Sequence, residues 1–371
     1  MNIQKNKKIQ NETKINIIIL KKDDYISDDK IDKKEGHYIP ESYYNKIVNS
    51  DSDVYYLDEN NKKKLLLKFR KNVIPQKDCM DAFNSFYKVA QKKNRNRGAA
   101  AGLINTKKLP NYVGKINHQD KFRVFYYDKK GKLKKDNIGN PSMSNIIGYY
   151  DRPDRNNYSK NLIKNNTVKN KNTKNTKKQI KSIPMCRTTA FTKQNVDKWK
   201  KCLPLLIQAD KQFKKLIPSR HNNQLKRAQQ TPKFQIKNTA FSTITLNYNW
   251  RTACHKDSGD LEEGFGNLLV LEKDKCKLSN HSFQGGYLGF PKFKICVDVR
   301  QGDFLAMDVH QWHCNTPIKK LQNQIIIDNN SNNDKNKKSK NNHNNKNDYG
   351  RLSVVCYLRK DMIKCKNKNY N

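Results

Sequence analysis

Hydrophobic residues recur every three or four positions in three segments of the chain, a spacing that predicts amphipathic helices. One helix is predicted over residues 79–92, with Asp78 as its N-cap. Two more are predicted over residues 196–202 and 204–217, because a proline such as Pro204 is tolerated in the first turn of a helix and disfavoured inside one.

In the C-terminal half, the period of hydrophobic residues changes to two, as in strands with one buried face. Turn residues such as Gly and Pro separate these runs. The pattern predicts a β-sandwich or barrel. The predicted strands lie at residues 243–248, 267–272, 293–299, 303–308 and 351–358, with further short strands within residues 111–150.

Three stretches rich in Lys and Asn lack both periods and interrupt this pattern. Residues 1–35 are predicted to be a disordered tail, residues 160–182 a basic linker or exposed insert, and residues 328–347 an expanded loop. A globular region in two parts remains, over residues 36–159 and 183–371. Helices and strands together give an α+β fold class.

The chain of 371 residues carries 76 Lys and Arg against 34 Asp and Glu, a formal net charge of +42. An excess of this size favours a polyanionic partner, because each neutralised phosphate releases counterions. An AT-rich genome also encodes Lys and Asn by default, so charge alone leaves nucleic acid and a solvated surface equally open. No stretch approaches the ~20 apolar residues of a membrane span, and no secretory signal is expected.

The nine cysteines are scattered along the chain and never form a CxxC pair. This spacing favours free thiols over a disulfide framework or a zinc ribbon. Free thiols persist in a reducing compartment, so a nuclear or cytoplasmic location is expected. No protein partner can be read from the sequence.

Two separated histidine motifs supply the residue types of a metal centre. His255-Lys-Asp257 places an imidazole and a carboxylate on one side of an extended chain. A second imidazole would come from His313 or His310. His313 is favoured because the chain reverses directly after it, and His310 is then expected to pack beside the site. Two His and one carboxylate form the facial triad of non-haem Fe(II) sites, although zinc accepts the same ligands.

A basic strand downstream favours iron over zinc. Arg351 and Ser353 lie two residues apart and therefore on the same face of a strand. A guanidinium and a hydroxyl fixed at the end of a barrel can hold the distal carboxylate of a dicarboxylic acid. Iron, a 2-oxo acid and O₂ would together account for the whole set.

These residues lie in motifs that resemble the TET/JBP family of 2-oxoglutarate- and Fe(II)-dependent nucleic-acid base dioxygenases. The sequence has no counterpart of the cysteine-rich zinc-binding region of animal TET enzymes or of the modified-base-binding domain of kinetoplastid JBP proteins. The resemblance lies within residues 75–365 and rests on the segments TITLNYNWRTACHKDSGDLEEGFGNLLVLE, GGYLGFPKF, VDVRQGDFLAMDVHQWHCNTPI and RLSVVCYLR, with the shorter motifs RGAAAG and RTTAFT.

The resemblance implies a double-stranded β-helix core, of the jelly-roll or cupin type, flanked by helices and carrying the basic low-complexity inserts. Residues 183–371 would hold the catalytic core and residues 36–159 the N-terminal part of the same oxygenase domain. The implied Fe(II) ligands and catalytic residues are His255, Asp257 and His313, and the implied 2-oxoglutarate ligands are Arg351 and Ser353.

The implied reaction is hydroxylation of the 5-methyl group of a pyrimidine in DNA, with O₂ as co-substrate and the base flipped out of the duplex. Oxidation of 5-methylcytosine to 5-hydroxymethylcytosine, with further oxidation left open, is the first expectation. Thymine in DNA is the alternative base. A hydroxylase of RNA or protein, or a non-catalytic basic nucleic-acid-binding protein, is the alternative function.

Four residues near these motifs are candidates for further contacts. Arg251 could meet a 2-oxoglutarate carboxylate or a phosphate, or form an ordinary surface ion pair. Arg97 and Gly98 could let a nucleic acid approach the backbone, or form a tight turn on the core. Trp312 could stack on a base, or belong to the core.

Overall fold

The structure, a computed structural model, describes residues 14–151, 186–273, 281–321 and 349–365. It is a mixed α+β fold with large sheets. Its helices are α1 (Asp28–Asp32), α2 (Gln76–Ala90), α3 (Ala190–Gln194), α4 (Val196–Leu216) and α5 (Pro218–Gln229). Its strands are β1 (Asn16–Ile19), β2 (Lys46–Val48), β3 (Ser52–Leu57), β4 (Lys63–Arg70), β5 (Val113–Gln119), β6 (Arg123–Asp128), β7 (Ile138–Gly139), β8 (Ser144–Tyr150), β9 (Arg187–Thr188), β10 (Thr243–Tyr248), β11 (Gly266–Glu272), β12 (Phe283–Gly285), β13 (Leu288–Phe290), β14 (Ile295–Val297), β15 (Phe304–Met307), β16 (Cys314–Asn315), β17 (Ile318–Lys320) and β18 (Arg351–Tyr357).

A nine-stranded sheet organises the fold, in the order β1-β3-β4-β15-β11-β18-β10-β8-β9. Strands from both parts of the globular region contribute to it, since β10 pairs with β8 and β15 pairs with β4, both antiparallel. The two parts that the sequence separates at residues 160–182 therefore build a single sheet.

Hydrophobic cores lie on both faces of this sheet. On one face, Phe86 of α2 and Leu206 of α4 pack with Ile244 of β10. On the other face, Val270 of β11 packs with Phe290 of β13. Strand β13 belongs to a four-stranded sheet of order β16-β13-β14-β2, so the second core lies between two sheets.

The period-two pattern of the sequence is confirmed in the central strands. Ile244 and Leu246 of β10 are fully buried in the core that faces the helices. Thr245 and Asn247 alternate with them and point to the opposite face. Strands β11, β15 and β18 also lie where the sequence predicted strands. The run 293–299 forms only the short strand β14, because a 3₁₀ turn occupies Pro291–Phe293.

Two helix predictions are wrong in detail. The predicted break at Pro204 does not occur, since α4 runs continuously from Val196 to Leu216 with this proline inside it. Burial of Leu205 and Leu206 against the core offsets the backbone hydrogen bond that proline removes. Helix α2 begins at Gln76, so Asp78 lies within its first turn instead of capping it.

The predicted disordered tail is wrong for residues 14–35. Strand β1 pairs in parallel with β3, and Ile31 of α1 is fully buried in a core with Trp312. A few apolar side chains thus fix a segment whose composition is mostly polar. The predicted insert at residues 160–182 and the predicted loop at residues 328–347 lie outside the described residues.

The expectation of free thiols is wrong for one pair of cysteines. Cys186, just before β9, and Cys365, near the C-terminal end, form a disulfide although they are separated by 179 residues in sequence. Linear spacing gives no sign of a pair that only the fold brings together. The other cysteines of the described ranges are free and buried.

Within the described ranges, none of the helices has both the length and the apolar character that crossing a bilayer requires.

The core between the helices and the large sheet gives a stability prediction. Leu206 is fully buried, whereas Leu133 is 51% exposed. We expect Leu206→Ala to lower the free energy of unfolding by about 2–5 kcal/mol, because it leaves a cavity. The matched variant Leu133→Ala should change it by less than about 0.5 kcal/mol. Urea unfolding of the metal-free protein measures both, and equal effects would contradict this packing.

Candidate metal centre

Two histidines far apart in sequence are joined by their backbones. The His255 N–H donates to the His313 carbonyl and the His313 N–H donates to the His255 carbonyl, both at 3.0 Å. This isolated antiparallel bridge places the two residues directly opposite each other, with ring centroids 4.3 Å apart. His313 stands immediately before β16, so both rings are held by extended backbone.

Each imidazole is oriented by a backbone carbonyl two residues earlier in the chain. Nδ1 of His255 lies 2.8 Å from the Ala253 carbonyl oxygen, and Nδ1 of His313 lies 2.9 Å from the Gln311 carbonyl oxygen. A carbonyl oxygen can only accept, so Nδ1 carries the proton in both rings. In both rings Nε2 is then the nitrogen left to face a metal ion, as in metal-binding imidazoles whose other nitrogen donates to a carbonyl.

Asp257 completes the group from the same segment as His255. Its carboxylate oxygens lie 3.7 Å from Nε2 of His255 and 3.8 Å from Nε2 of His313. The Asp257 N–H donates to the Val309 carbonyl at 3.1 Å, which ties the carboxylate to the segment that carries His313. One ligand atom from each of the three residues lies within 4.8 Å of the others.

The electrostatics of this group favour a cation. Burial, and then the neighbouring His313, hold the pKa of His255 well below its usual range, so its ring is neutral and can donate its lone pair. His313 is buried, whereas the Asp257 side chain is 36% exposed. The group is thus open on the carboxylate side, where a substrate could reach a bound ion.

His310 does not join the three ligands. Its Nδ1 lies 3.2 Å from the Asp257 carbonyl oxygen and its Nε2 lies 3.4 Å from the Leu261 carbonyl oxygen. The ring therefore packs under the loop that carries Asp257.

Arg351 is a fully buried cation with spare donors. Its Nη2 donates to the Gly286 carbonyl at 3.0 Å, whereas Nε and Nη1 have no hydrogen-bond partner among the described residues. Burial, and then Arg300, lower the pKa of Arg351 to about 10. A buried guanidinium with two unused donors is suited to an anionic ligand.

A shared carbonyl connects this arginine to the metal group. The Gly286 carbonyl that accepts from Arg351 also lies 3.4 Å from Nδ2 of Asn315, two residues after His313. Gly286 has φ +70°, and a Cβ there would lie 2.9 Å from Nε of Arg351. Glycine is thus required both by the backbone and by the close approach of the guanidinium.

Ser353 lies on the same face of β18 as Arg351 and is buried. Its hydroxyl accepts from Nδ2 of Asn247 at 3.3 Å, across the β10–β18 pair. The Oδ1 of Asn247 has no hydrogen-bond partner among the described residues. Sequence reasoning missed Asn247, although its polar place in the β10 alternation marked it as facing this side.

Arg251 and Trp312 are engaged elsewhere. Arg251 donates to the Asn315 carbonyl at 3.0 Å and to the Ile39 carbonyl at 2.6 Å, so in this structure its guanidinium holds two backbone segments together. Trp312 is buried, and its Nε1 donates to Asp32 at 3.0 Å. This places Trp312 in the core and leaves it no face for stacking on a base.

Arg97 and Gly98 lie at a turn beside the metal group. Arg97 donates from Nε to the Ser144 carbonyl at 3.2 Å, and its charge acts on both Asp257 and His255. Gly98 begins the 3₁₀ turn Gly98–Ala101 with φ +49°, and a Cβ there would meet no atom within 4 Å. Contact of these two residues with a nucleic acid stays a prediction.

Asp260 is a second residue that sequence reasoning missed. It is buried three residues after Asp257, and its Oδ2 has no hydrogen-bond partner among the described residues. Burial, and then Asp257, raise the pKa of Asp260 well above its usual range. Nothing in the local sequence marks Asp260 as buried, because the backbone bridge that holds it in place is formed with the distant residue Arg359.

The residues present fit Fe(II) and 2-oxoglutarate. Two imidazoles and one carboxylate give the three ligands of a facial triad and leave one side open. The unpartnered Nε and Nη1 of Arg351 give a buried anion-binding group connected to the same segment.

The geometry gives a prediction about iron. We expect His255→Ala, Asp257→Ala and His313→Ala each to lower Fe(II) affinity at least about tenfold, because each removes a ligand. His310→Ala should keep its iron, as should His118→Ala, a matched change on the exposed strand β5. Anaerobic Fe(II) titration with a chromogenic chelator measures this. Iron loss in His310→Ala but not in His313→Ala would contradict the arrangement.

Comparison with known proteins adds sequence similarity to this geometry. Residues 175–360 match the Tet_JBP family model, described as the oxygenase domain of the 2OGFeDO superfamily. The bifunctional helicase and thymine dioxygenase JBP2 of Leishmania braziliensis is 28% identical over 235 residues, which are 63% of this chain and 16% of that protein. The thymine dioxygenase JBP1-B of Trypanosoma cruzi is 31% identical over 174 residues, which are 47% of this chain and 17% of that protein.

The matched region spans about a sixth of the length of these relatives. A solved structure described as NgTET1 in complex with 5mC DNA aligns over 92% of this chain and 94% of that one, with 11% identity and a TM-score of 0.41. The family assignment rests on the family model, which covers half of the chain and includes all three residues of the candidate metal centre. The chain therefore belongs to the Tet_JBP family of 2-oxoglutarate- and Fe(II)-using oxygenases.

Proposed function

We propose that this protein is an Fe(II)- and 2-oxoglutarate-dependent dioxygenase that hydroxylates the 5-methyl group of a pyrimidine base in DNA. The observation that carries the proposal is the group His255, Asp257 and His313, whose ligand atoms lie within 4.8 Å of one another and open to one side. Family membership supports the cofactor pair. Two relatives are named thymine dioxygenases, which supports a pyrimidine base as the substrate class.

In this proposal the three ligands hold the ion, and the exposed side of Asp257 marks the direction from which substrate enters. Fe(II), when bound with 2-oxoglutarate and O₂, supplies an oxidant that can convert a methyl group to a hydroxymethyl group, with succinate and CO₂ as co-products. His310 holds the loop that carries Asp257 through its contact with the Asp257 carbonyl.

Arg351 would bind the distal carboxylate of 2-oxoglutarate. Its Nε and Nη1 are the unused donors, and one of them can act with the second N–H of Nη2 in the bidentate contact that a guanidinium makes with a carboxylate. Ser353 lies beside it on the same strand face and can add a hydroxyl donor. The co-substrate charge would then compensate the buried cation.

The fold that we propose for the catalytic core is a double-stranded β-helix. The hydrophobic core between the nine-stranded and four-stranded sheets supports this interpretation. A metal inside such a core cannot reach a methyl group within stacked bases. The target nucleotide would have to be flipped out, at a cost of a few kcal/mol in lost stacking and pairing.

Two bases carry the required methyl group. The sequence motifs led to 5-methylcytosine as the first expectation, and we keep it as the primary substrate. Thymine is the second candidate, favoured by the names of the relatives from Leishmania braziliensis and Trypanosoma cruzi. A nuclear or cytoplasmic location and O₂ as co-substrate belong to the same proposal.

A nucleoside assay tests the function and the choice of base. Purified protein with Fe(II), ascorbate and 2-oxoglutarate is incubated with methylated DNA, with unmethylated DNA that contains thymine, and with methylated RNA. We expect 5-hydroxymethylated nucleoside by mass spectrometry from the methylated DNA, with a matching amount of succinate, and none with Asp257→Ala. Product from RNA alone would move the protein to the RNA alternative. The absence of product from every nucleic acid would contradict the proposal.

The role of Arg351 can be tested without turnover. We expect Arg351→Lys to weaken 2-oxoglutarate binding at least about tenfold, because lysine cannot form the bidentate contact. Fe(II) binding should persist, since no metal ligand changes. The matched control is Arg123→Lys on the exposed side of β6. Anaerobic calorimetric titration of the Fe(II)-loaded proteins measures both, and equal affinities would contradict this role.

A further inference from the structure

A polar groove follows the outer edge of the large sheet. It has a volume of about 730 Å³ and runs along Ser144, Asn145 and Ile146 of β8. Asn94, Asn96 and Arg97 form one wall, and the segment 187–194, which holds β9 and α3, forms the other. Strand β10 pairs with one side of β8. On the other side of β8, no strand of the described sheet pairs with residues 144–146, and the groove lies there.

The charged side chains that line this groove are all positive. Arg97 stands on one wall, and Arg187 and Lys193 stand on the other. Asn, Ser, Thr and Gln supply most of the remaining lining, and no carboxylate is among the described residues that line it. Lys193 is exposed on α3. Cations on both walls, spread among amides and hydroxyls, are suited to an extended polyanion.

A buried polar atom gives a second indication that a ligand binds here. Ser144 lines the groove and is only 1% exposed, yet its Oγ has no hydrogen-bond partner among the described residues. Its carbonyl is already used, because it accepts from Asn94 and from Arg97. Buried hydroxyls in native proteins are nearly always paired, so an oxygen of a bound molecule is a suitable partner.

The groove leads to the candidate metal centre. The turn that follows Arg97 on the first wall contacts the segment that carries His255, because the Ala253 N–H donates to the Ala100 carbonyl at 2.9 Å. Ser144 pairs with Asn247 across β8 and β10, and Asn247 donates to Ser353 on β18. Ser144, Asn247 and Ser353 thus form a row of polar side chains across the adjacent strands β8, β10 and β18. Ser353 lies on the same face of β18 as Arg351.

We propose that this groove binds the sugar-phosphate backbone of the DNA strand whose base enters the metal centre. Arg187 and Lys193 contact phosphates, and the amide and hydroxyl side chains donate to sugar and phosphate oxygens. The inference rests on the proposed function, because it assigns the position of that substrate. It also gives a specific place to part of the positive charge, in a folded region outside the Lys- and Asn-rich stretches.

The test measures binding of a short fluorescein-labelled duplex with one 5-methylcytosine to the full-length, Fe(II)-loaded protein without O₂. Fluorescence anisotropy is recorded between about 50 and 200 mM salt. The variants are Lys193→Ala, Arg187→Ala, the double variant, and the charge-conserving Arg187→Lys. Lys211→Ala is the matched control, since this exposed lysine lies on α4, about 20 Å along the helix from the end near α3.

We expect the double variant to bind the duplex about tenfold or more weakly, and its salt dependence of log K to be shallower by about 2, one for each lost phosphate contact. Lys193→Ala and Arg187→Ala should each lower the slope by about 1, whereas Arg187→Lys and Lys211→Ala should keep it. All variants should keep their Fe(II) stoichiometry. Because Lys193 is exposed, its replacement tests the groove even if changes at Arg187 disturb folding.

The outcomes separate the groove from the function. If wild-type protein oxidises methylated DNA but the double variant and Lys193→Ala bind it with the affinity and salt slope of Lys211→Ala, the groove is not the backbone site and the function stands. If wild-type protein neither binds nor oxidises DNA, the proposed function fails and the groove assignment fails with it.

Discussion

The reciprocal backbone hydrogen bonds between His255 and His313 are the constraint on which the candidate site depends. They fix two extended segments in register, and the imidazoles then lie side by side. The carbonyls of Ala253 and Gln311 select the same tautomer in both rings. Asp257 follows from the same bridge, because its N–H continues the pairing to Val309. Three ligands are thus organised mainly by main-chain geometry, which side-chain substitutions elsewhere disturb little.

The site also contains buried polar groups without a hydrogen-bond partner among the described residues. Arg351 has two such donors, and Asn247, Ser144 and Asp260 each have one such oxygen. Each costs free energy while it has no partner, because buried polar groups lose their water. Those of Ser144, Asn247 and Arg351 lie on the neighbouring strands β8, β10 and β18, where a polar ligand would pair with them. A ligand that pairs with these groups would bind more tightly, because binding removes a desolvation cost that the fold already carries.

Sequence predicted the parts of this structure that depend on local spacing. The period-two runs located β10, β11 and β18, and the residues of the metal group were identified because His255 and Asp257 lie two apart. Errors arose where distant segments decide the outcome. Trp312 donates to Asp32, which lies in the region predicted to be a disordered tail, and Arg251 donates to the carbonyl of Ile39, four residues after that region. The Cys186–Cys365 disulfide and the buried carboxyl of Asp260 likewise need the folded chain, since no local pattern encodes them.

The pairing of β8 with β9 has a consequence for how this gene can change. Tyr150 lies opposite Arg187, so the chain leaves the sheet and returns to it at neighbouring points. The entropy of closing a loop grows only with the logarithm of its length, and each doubling costs about 0.6 kcal/mol. Codons can therefore accumulate or disappear between these two positions over evolutionary time without altering strand order. Related genes should differ greatly in length at this point while keeping the flanking strands.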